Sequence, residues 1–271
     1  MDALLAPVED LMRTVAQDEI MSRFGLLKRH EINSKSHARD LVTTADLESE
    51  HRLAQGLSAL LDDSTVVGEE DCFRNREILD RLTKPQPVWV VDPLDGTHNF
   101  SQGKPCFAVI CALVVGGETQ MGWILDPVSG VCATVLRGGG VRINGQRRVI
   151  DAPPQINQMT GSVGDGQRKR LQMTPPTKDF HRPQHLVRYH CCGREYIDMM
   201  VGKIHFVLYG GNLMPWDHCA GTLMVAEAGG YARMRDDKSP YDPTDKSTGR
   251  QLLLAPNEQT FETLDKILFS G

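Results

Sequence analysis

Three clusters of carboxylates at the ends of apolar runs carry the chemistry of this sequence. The run Trp89-Val90-Val91 delivers Asp92 and Asp95, three residues apart, into a turn that contains Pro93 and Gly96. Proline fixes φ there, and glycine permits positive φ or the close approach of a ligand. A core strand should not end in two unpaired carboxylates, because burying such charges is costly unless they are paired or bind a cation. An isolated Asp-x-x-Asp reads as a turn or a cap, but two further clusters change that balance. Gly68-Glu69-Glu70-Asp71 follows the strand-like Thr65-Val66-Val67. Pro215-Trp216-Asp217 precedes a helical run at 220–228, where Asp217 is a natural N-cap. Together the clusters offer hard oxygen ligands, which suit Mg²⁺, Mn²⁺ or Ca²⁺. None of the nine histidines stands at a zinc-ligand spacing. An acidic pocket repels a phosphate, and bound divalent ions reverse that local sign.

The elements that must position these acids are partly legible. Val8, Leu11, Met12, Val15 and Ala16 recur at helical spacing. A second helix starts near Thr44 to Asp46 and carries Leu47, Leu53, Leu57, Leu60 and Leu61. Strand-like runs follow at 65–67, 88–91, 108–115, 121–125 and 131–136, with Gly116-Gly117 and Asp126-Pro127 as turns between the later ones. Strands so close in sequence predict an antiparallel sheet rather than repeated βαβ units. Residues 146–188 are polar and rich in Pro, Arg, Lys and Gln, which divides the chain into halves at 1–145 and 146–271. Residues 164–184 read as a long excursion, and Arg168-Lys169-Arg170 within it as a solvated face. Beyond it, 196–201 reads as helix, 204–209 as strand, 220–228 as a helix stopped by Gly229-Gly230, 252–254 as a buried strand, and Phe261, Leu264, Ile267 and Leu268 as a closing helix.

Composition excludes several classes. The 271 residues are 40% apolar and 24% charged, with a formal net charge of −5, an ordinary soluble pattern. No apolar run approaches the ~20 residues of a membrane span. The N-terminus lacks a basic n-region and a clean apolar h-region, so no secretory signal is read. The negative charge argues against nucleic acid as a main partner. Seven cysteines, an odd number with no Cys-x-x-Cys, read as reduced thiols in a cytoplasmic protein, with Cys191-Cys192 the one unusual feature.

At this level the residues resemble a known family. GEE at 68–70, DPLDGTHNF at 92–100 and WDHCAGTLMVAEAGG at 216–230 are similar to the signatures of the inositol monophosphatase superfamily, and DLVTTAD at 40–46 is similar to a fourth element in the same order. The resemblance runs from about Lys35 to the C-terminus. It implies an α+β fold, a layered α/β/α/β/α sandwich of the inositol monophosphatase and fructose-1,6-bisphosphatase type. It implies a Mg²⁺-dependent phosphomonoesterase, with Mn²⁺ as a substitute and Li⁺ as inhibitor, that acts on a small phosphorylated metabolite as a homodimer. By motif position, Glu69, Asp92, the backbone carbonyl of Leu94, Asp95 and Asp217 are implied as metal ligands. Gly96 and Thr97 are implied to hold the phosphate, with Asp95, Asp217 and Lys35 beside it. Thr97 with Asp46, next to Glu69, is implied to activate the attacking water, and Glu70 to act through water.

The chain also departs from the family. Inositol-preferring relatives carry a Glu seven residues before the Asp of the Trp-Asp pair, where this chain has Gly210. His98 replaces a usual Thr, and Tyr189-His190-Cys191-Cys192-Gly193 replaces a small-residue stretch, which makes His190 and Arg194 candidate substrate contacts. Histidinol phosphate, fructose 1,6-bisphosphate and a 3′-phosphonucleotide therefore stand as alternative substrates. A noncatalytic factor associated with RNA or the transcription machinery stands as the alternative of a different class.

Overall fold

The computed structural model describes residues 2–26, 32–34, 41–173, 182–183 and 185–269. Lys35 lies outside the described residues. Helix α1 (Leu5–Val15) buries Val8, Met12 and Val15 along one face, as its spacing predicts. Strands β1 (Ile32–Ser34) and β2 (Leu41–Thr43) pair antiparallel and lead into α2 (Thr44–Leu60). Thr43 caps α2. Its hydroxyl accepts from the Ala45 N–H (3.2 Å), and Asp46 accepts from the Thr43 N–H (2.8 Å). This reciprocal pairing satisfies amides that a helix start otherwise leaves without partners.

A seven-stranded sheet follows. Its strands are β3 (Thr65–Gly68), β4 (Val88–Asp95), β5 (Ala108–Val115), β6 (Glu118–Asp126), β7 (Val131–Leu136), β8 (Gly140–Ile143) and β9 (Gln146–Arg148), side by side in that order. Pairing is antiparallel throughout, as expected, except that β3 runs parallel to β4. Short helices α3 (Glu69–Arg74) and α4 (Thr97–Ser101) leave the ends of β3 and β4. The second sheet has five strands in the order β11-β10-β12-β14-β13, drawn from β10 (Thr160–Ser162), β11 (His185–Val187), β12 (Phe206–Gly211), β13 (Tyr231–Met234) and β14 (Arg250–Ala255). Helices α5 (Asp165–Met173), α6 (Cys192–Met200), α7 (Pro215–Glu227) and α8 (Glu258–Phe269) complete the chain.

Side-chain alternation explains the layers. Along β4, Trp89 and Val91 pack with α1 and α2, whereas Val88 and Val90 face α6 and α7. Along β14, Leu252 and Leu254 face α6 and α7, and Leu253 and Ala255 face α5 and α8. Both sheets are covered on both faces, so central strands such as β4 and β5 read as continuous apolar runs. The result is the layered α/β/α/β/α sandwich, with α6 and α7 between the sheets. One core cluster draws residues from both sides of position 145.

The middle layer is close-fitting. A Cβ at Gly122 in β6 would lie 2.7 Å from the Ala220 backbone in α7. Gly122→Ala should therefore cost roughly 1–3 kcal/mol, as overpacked cores do. Urea denaturation measures it, and an unchanged midpoint would show that α7 and β6 can separate freely.

Two expectations need correction. Helix α7 begins at Pro215, so Met214 is its N-cap and Asp217 lies within the first turn. Proline suits the first helical position because its missing N–H is not needed there. The acid is thereby relieved of capping. Part of the supposed excursion is the helix α5, which buries Leu171. Arg170 is not merely solvated, since it donates to the Ile267 carbonyl (3.2 Å) and the Leu268 carbonyl at the end of α8. Among the described residues no helix is long and apolar enough to cross a membrane.

Candidate active site

The acid clusters converge because of strand register. Parallel pairing sets Gly68 beside Val91, so Glu69 at the start of α3 and Asp92 in β4 leave the sheet at one edge. The β4–β5 ladder slips between Asp92 and Asp95, where three steps on β4 match two on β5. Pro93 cannot donate to the ladder, so a bulge there has a direct cause. The Asp92 carboxylate accepts from the Leu94 N–H (3.0 Å), which tightens the turn. Gly96 has φ +92°, and a Cβ on it would meet the Cys106 carbonyl at 3.0 Å and Cys191 Cβ at 3.2 Å. The positive φ anticipated for this glycine is present, and the close approach is by Cys106 and Cys191.

Glu69, Asp92, Leu94 and Asp95 line one cleft of about 400 Å³, together with Gly96, Thr97 and Asp217. Asp95, Asp217 and Cys192 bring ligand atoms within 4.8 Å of one another, a grouping able to hold a metal ion. Burial first, then the charges of Asp95 and Glu69, push the Asp217 carboxyl well above the usual range. Burial likewise raises Asp95, partly offset by the Gly193 N–H and two thiols. Like-charged carboxylates crowded this way are costly without a cation.

Thr97 Oγ1 lies 2.8 Å from Asp46 Oδ1 and 3.0 Å from the Leu94 carbonyl. Its single proton serves one acceptor at a time. The other Asp46 oxygen accepts from the Thr43 N–H (2.8 Å) and hydroxyl (2.5 Å). Burial raises Asp46 to about 6 against these hydrogen bonds.

Three features of the site escape sequence reasoning. Glu50 accepts from the Glu70 and Asp71 N–H groups (2.8 and 2.9 Å), so it caps α3 in place of the side chain that Gly68 lacks. A Cβ at Gly68 would lie 2.4 Å from that carboxylate. The available signal is that Glu50 falls one helical turn after Asp46. Second, the Cys191-Cys192-Gly193 segment grips Asp95. Its Oδ2 accepts from the Gly193 N–H (2.6 Å) and from the thiols of Cys191 (3.2 Å) and Cys192 (3.4 Å). The adjacent cysteines are thus neither bridged nor plain core residues.

Third, Glu195 accepts from the Ser162 hydroxyl and the Tyr189 N–H (3.4 Å), and burial pushes it up to about 7. Between the ordinary Glu range and pH 7, the folded state keeps a proton that the unfolded state has lost. Stability therefore falls as pH rises through that window and levels off above it. Glu195→Gln stays neutral and should flatten that slope. Urea midpoints at pH 5 and pH 8 measure it, and an identical slope in the variant would clear Glu195 of the role.

Arg194 is not among the residues that line the cleft. It pairs with buried Asp126 and lies 3.6 Å from Asp198. His98 and His190 do line the cleft. Gly210 lines an adjoining cavity of about 290 Å³, shared with Asp95 and Asp217. A Cβ there would make ordinary van der Waals contact with Gln251 at 3.6 Å, so the position of the missing Glu is not sterically blocked.

The comparisons with known proteins agree with this fold. The model of the inositol monophosphatase family matches residues 2–266. The chain belongs to that family. It is 26% identical over 199 residues to the fructose-1,6-bisphosphatase/inositol-1-monophosphatase of Thermotoga maritima, covering 73% of each chain. It is 28% identical over 234 residues to the Nus factor SuhB of Haemophilus influenzae, covering 84% of this chain and 82% of that one. A solved inositol monophosphatase/NADP phosphatase, complexed with Mg²⁺ and phosphate, superposes with a TM-score of 0.80 at 20% identity, covering 100% of this chain and 95% of that one. At that identity the likeness shows the family fold.

Proposed function

We propose that this protein is a Mg²⁺-dependent phosphomonoesterase acting on a small phosphorylated metabolite. The observation that carries the reading is the convergence of Glu69, Asp92, Leu94, Asp95 and Asp217 on one cleft with the Thr97–Asp46 pair. The donor chemistry fits a hard cation, since the cleft offers four carboxylates and a backbone carbonyl and the one thiol among the clustered donors, Cys192, is engaged with Asp95 Oδ2. Those five residues would hold the ions, with Mn²⁺ as a substitute and Li⁺ as inhibitor. When bound, the ions supply positive charge for the phosphoryl and leaving oxygens and lower the pKa of water.

The chain's own residues do the rest. Thr97, giving its proton to Asp46, keeps an oxygen lone pair that accepts from the attacking water. Asp46 is held for that task by two bonds from Thr43. Glu69 is close enough to the same cleft to take a proton from that water. The backbone at Gly96 and Thr97 would hold the phosphate near Asp217, and the motif resemblance assigns Lys35 to the same phosphate. Gly193 and the two thiols occupy Asp95 Oδ2, which leaves Oδ1 for a ligand role. The protein works in the cytoplasm as a homodimer.

The SuhB relatives supply a second reading, a factor of the transcription machinery that does not depend on catalysis. The complete acid set favours the enzyme. Phosphate release separates the two, using inositol 1-phosphate, histidinol phosphate, fructose 1,6-bisphosphate, glycerol 2-phosphate and adenosine 3′,5′-bisphosphate with and without Mg²⁺. Mg²⁺-dependent turnover of one compound well above the others is expected. No release from folded, Mg²⁺-loaded protein would favour the noncatalytic factor.

A further inference from the structure

Several cations near the cleft are held in ion pairs. Arg74 pairs with Asp71 (3.0 Å), Arg188 with Asp165, Arg194 with Asp126, and Lys246 with Asp80. Arg76 begins the turn Arg76–Thr83 just after α3 and is exposed. It makes no ion pair among the described residues, and its guanidinium lies 4.0 Å from the Met214 sulfur. Arg76 also holds a particular place. It lines the acidic cleft and a second cavity of about 280 Å³ that has Leu79, Leu82 and Leu213 in its walls. The two cavities share Arg76, Asn212 and Met214, so these three residues stand between them.

We propose that Arg76 is a specificity-determining residue that binds a second anionic group, a phosphate or a carboxylate, on the leaving portion of the substrate. The inference rests on the phosphomonoesterase reading and names the substrate class for that site. A guanidinium presents paired N–H donors that match either anion bidentately. A neutral polyol leaves that charge unused. The opening at Gly210 agrees, because it removes an acid that would recognise hydroxyls and repel a second anion. Arg76 lines the same cleft as the acid cluster, so a leaving group that carries its own anion would meet it there.

Two matched pairs of esters test this. Glycerol 2-phosphate and 2-phosphoglycerate differ by a carboxylate in place of a hydroxymethyl group. Fructose 1-phosphate and fructose 1,6-bisphosphate differ by a phosphate. The wild type should show a KM on the order of tenfold lower for the bis-anionic member of at least one pair, the size of one charge-assisted contact near the surface. The pair that shows the ratio identifies the anion. Arg76→Gln should bring the ratio close to one, and Arg76→Lys should keep an intermediate ratio, because charge remains without the fork. Arg76 is exposed, so neither change opens the core.

A ratio that persists in Arg76→Gln would overturn the proposal, since the second anion would then meet other groups. So would a wild type that prefers neither bis-anion. If the mono-anionic esters are turned over in that case, the phosphomonoesterase reading stands and only the role of Arg76 falls. If none of the four esters is turned over while inositol 1-phosphate or histidinol phosphate is, the phosphomonoesterase reading stands and the role of Arg76 falls; if those two are not turned over either, both fall.

Discussion

Asp95→Asn should lower turnover by roughly 10³-fold, the loss expected when a charged ligand at the reacting centre is removed. The metal-free variant should also melt at a higher temperature than the wild type. The two effects have one cause. Burial raises both Asp95 and Asp217, and the charges of Asp95 and Glu69 raise Asp217 further, so without a cation the cluster opposes folding. Asparagine removes one of those charges, and its carbonyl oxygen can still accept from the Gly193 N–H. Mg²⁺ stabilises whatever state binds it, so it should raise the melting temperature of the wild type more than that of the variant. Turnover and melting curves in EDTA and in Mg²⁺ measure both effects. Full activity in a folded variant, or an equal Mg²⁺-induced rise, would remove Asp95 from the ligand set.

Thr97→Ala should lower kcat by about 10²- to 10³-fold, within the range of general-base assistance, while Mg²⁺ affinity changes little. The lost hydroxyl is the one 2.8 Å from Asp46 and 3.0 Å from the Leu94 carbonyl. Without it Asp46 loses one of the hydrogen bonds that favour its ionised form, so the buried carboxyl should rise further above about 6. Thr97→Ser keeps the hydroxyl and should recover most of the rate. Calorimetric Mg²⁺ titration beside single-turnover kinetics separates binding from chemistry. A kcat unchanged in Thr97→Ala would exclude the pair from water activation.

The acids of the site are legible because each cluster closes or follows an apolar run, a position that a soluble core gives to charge only for a reason. Glu69 follows β3 and Asp95 ends β4 in this way. The layers are harder to read. Trp89 and Val90 are equally apolar, yet they face different helices, because both faces of the sheet are covered and no alternation of polarity marks them. The start of α7 is obscured by Pro215, which reads as a break although it occupies a favourable first position. Glu50 acts on amides about 20 residues away, and Cys191, Cys192 and Gly193 act on an acid more than 90 residues before them. No local pattern encodes such contacts, since the folded layers alone bring those groups together. Adjacent cysteines in isolation read as small core residues, and only their place beside Asp95 gives them work.

The central claim is that the carboxylate cluster acts by holding divalent cations. The measurement that tests it most directly is phosphate release by metal-stripped protein, from the ester it turns over fastest, as Mg²⁺ is added back. Release should be absent in EDTA, should rise to saturation with Mg²⁺, and should fall again when Li⁺ is added at constant Mg²⁺. Release that continues undiminished in EDTA would contradict the account.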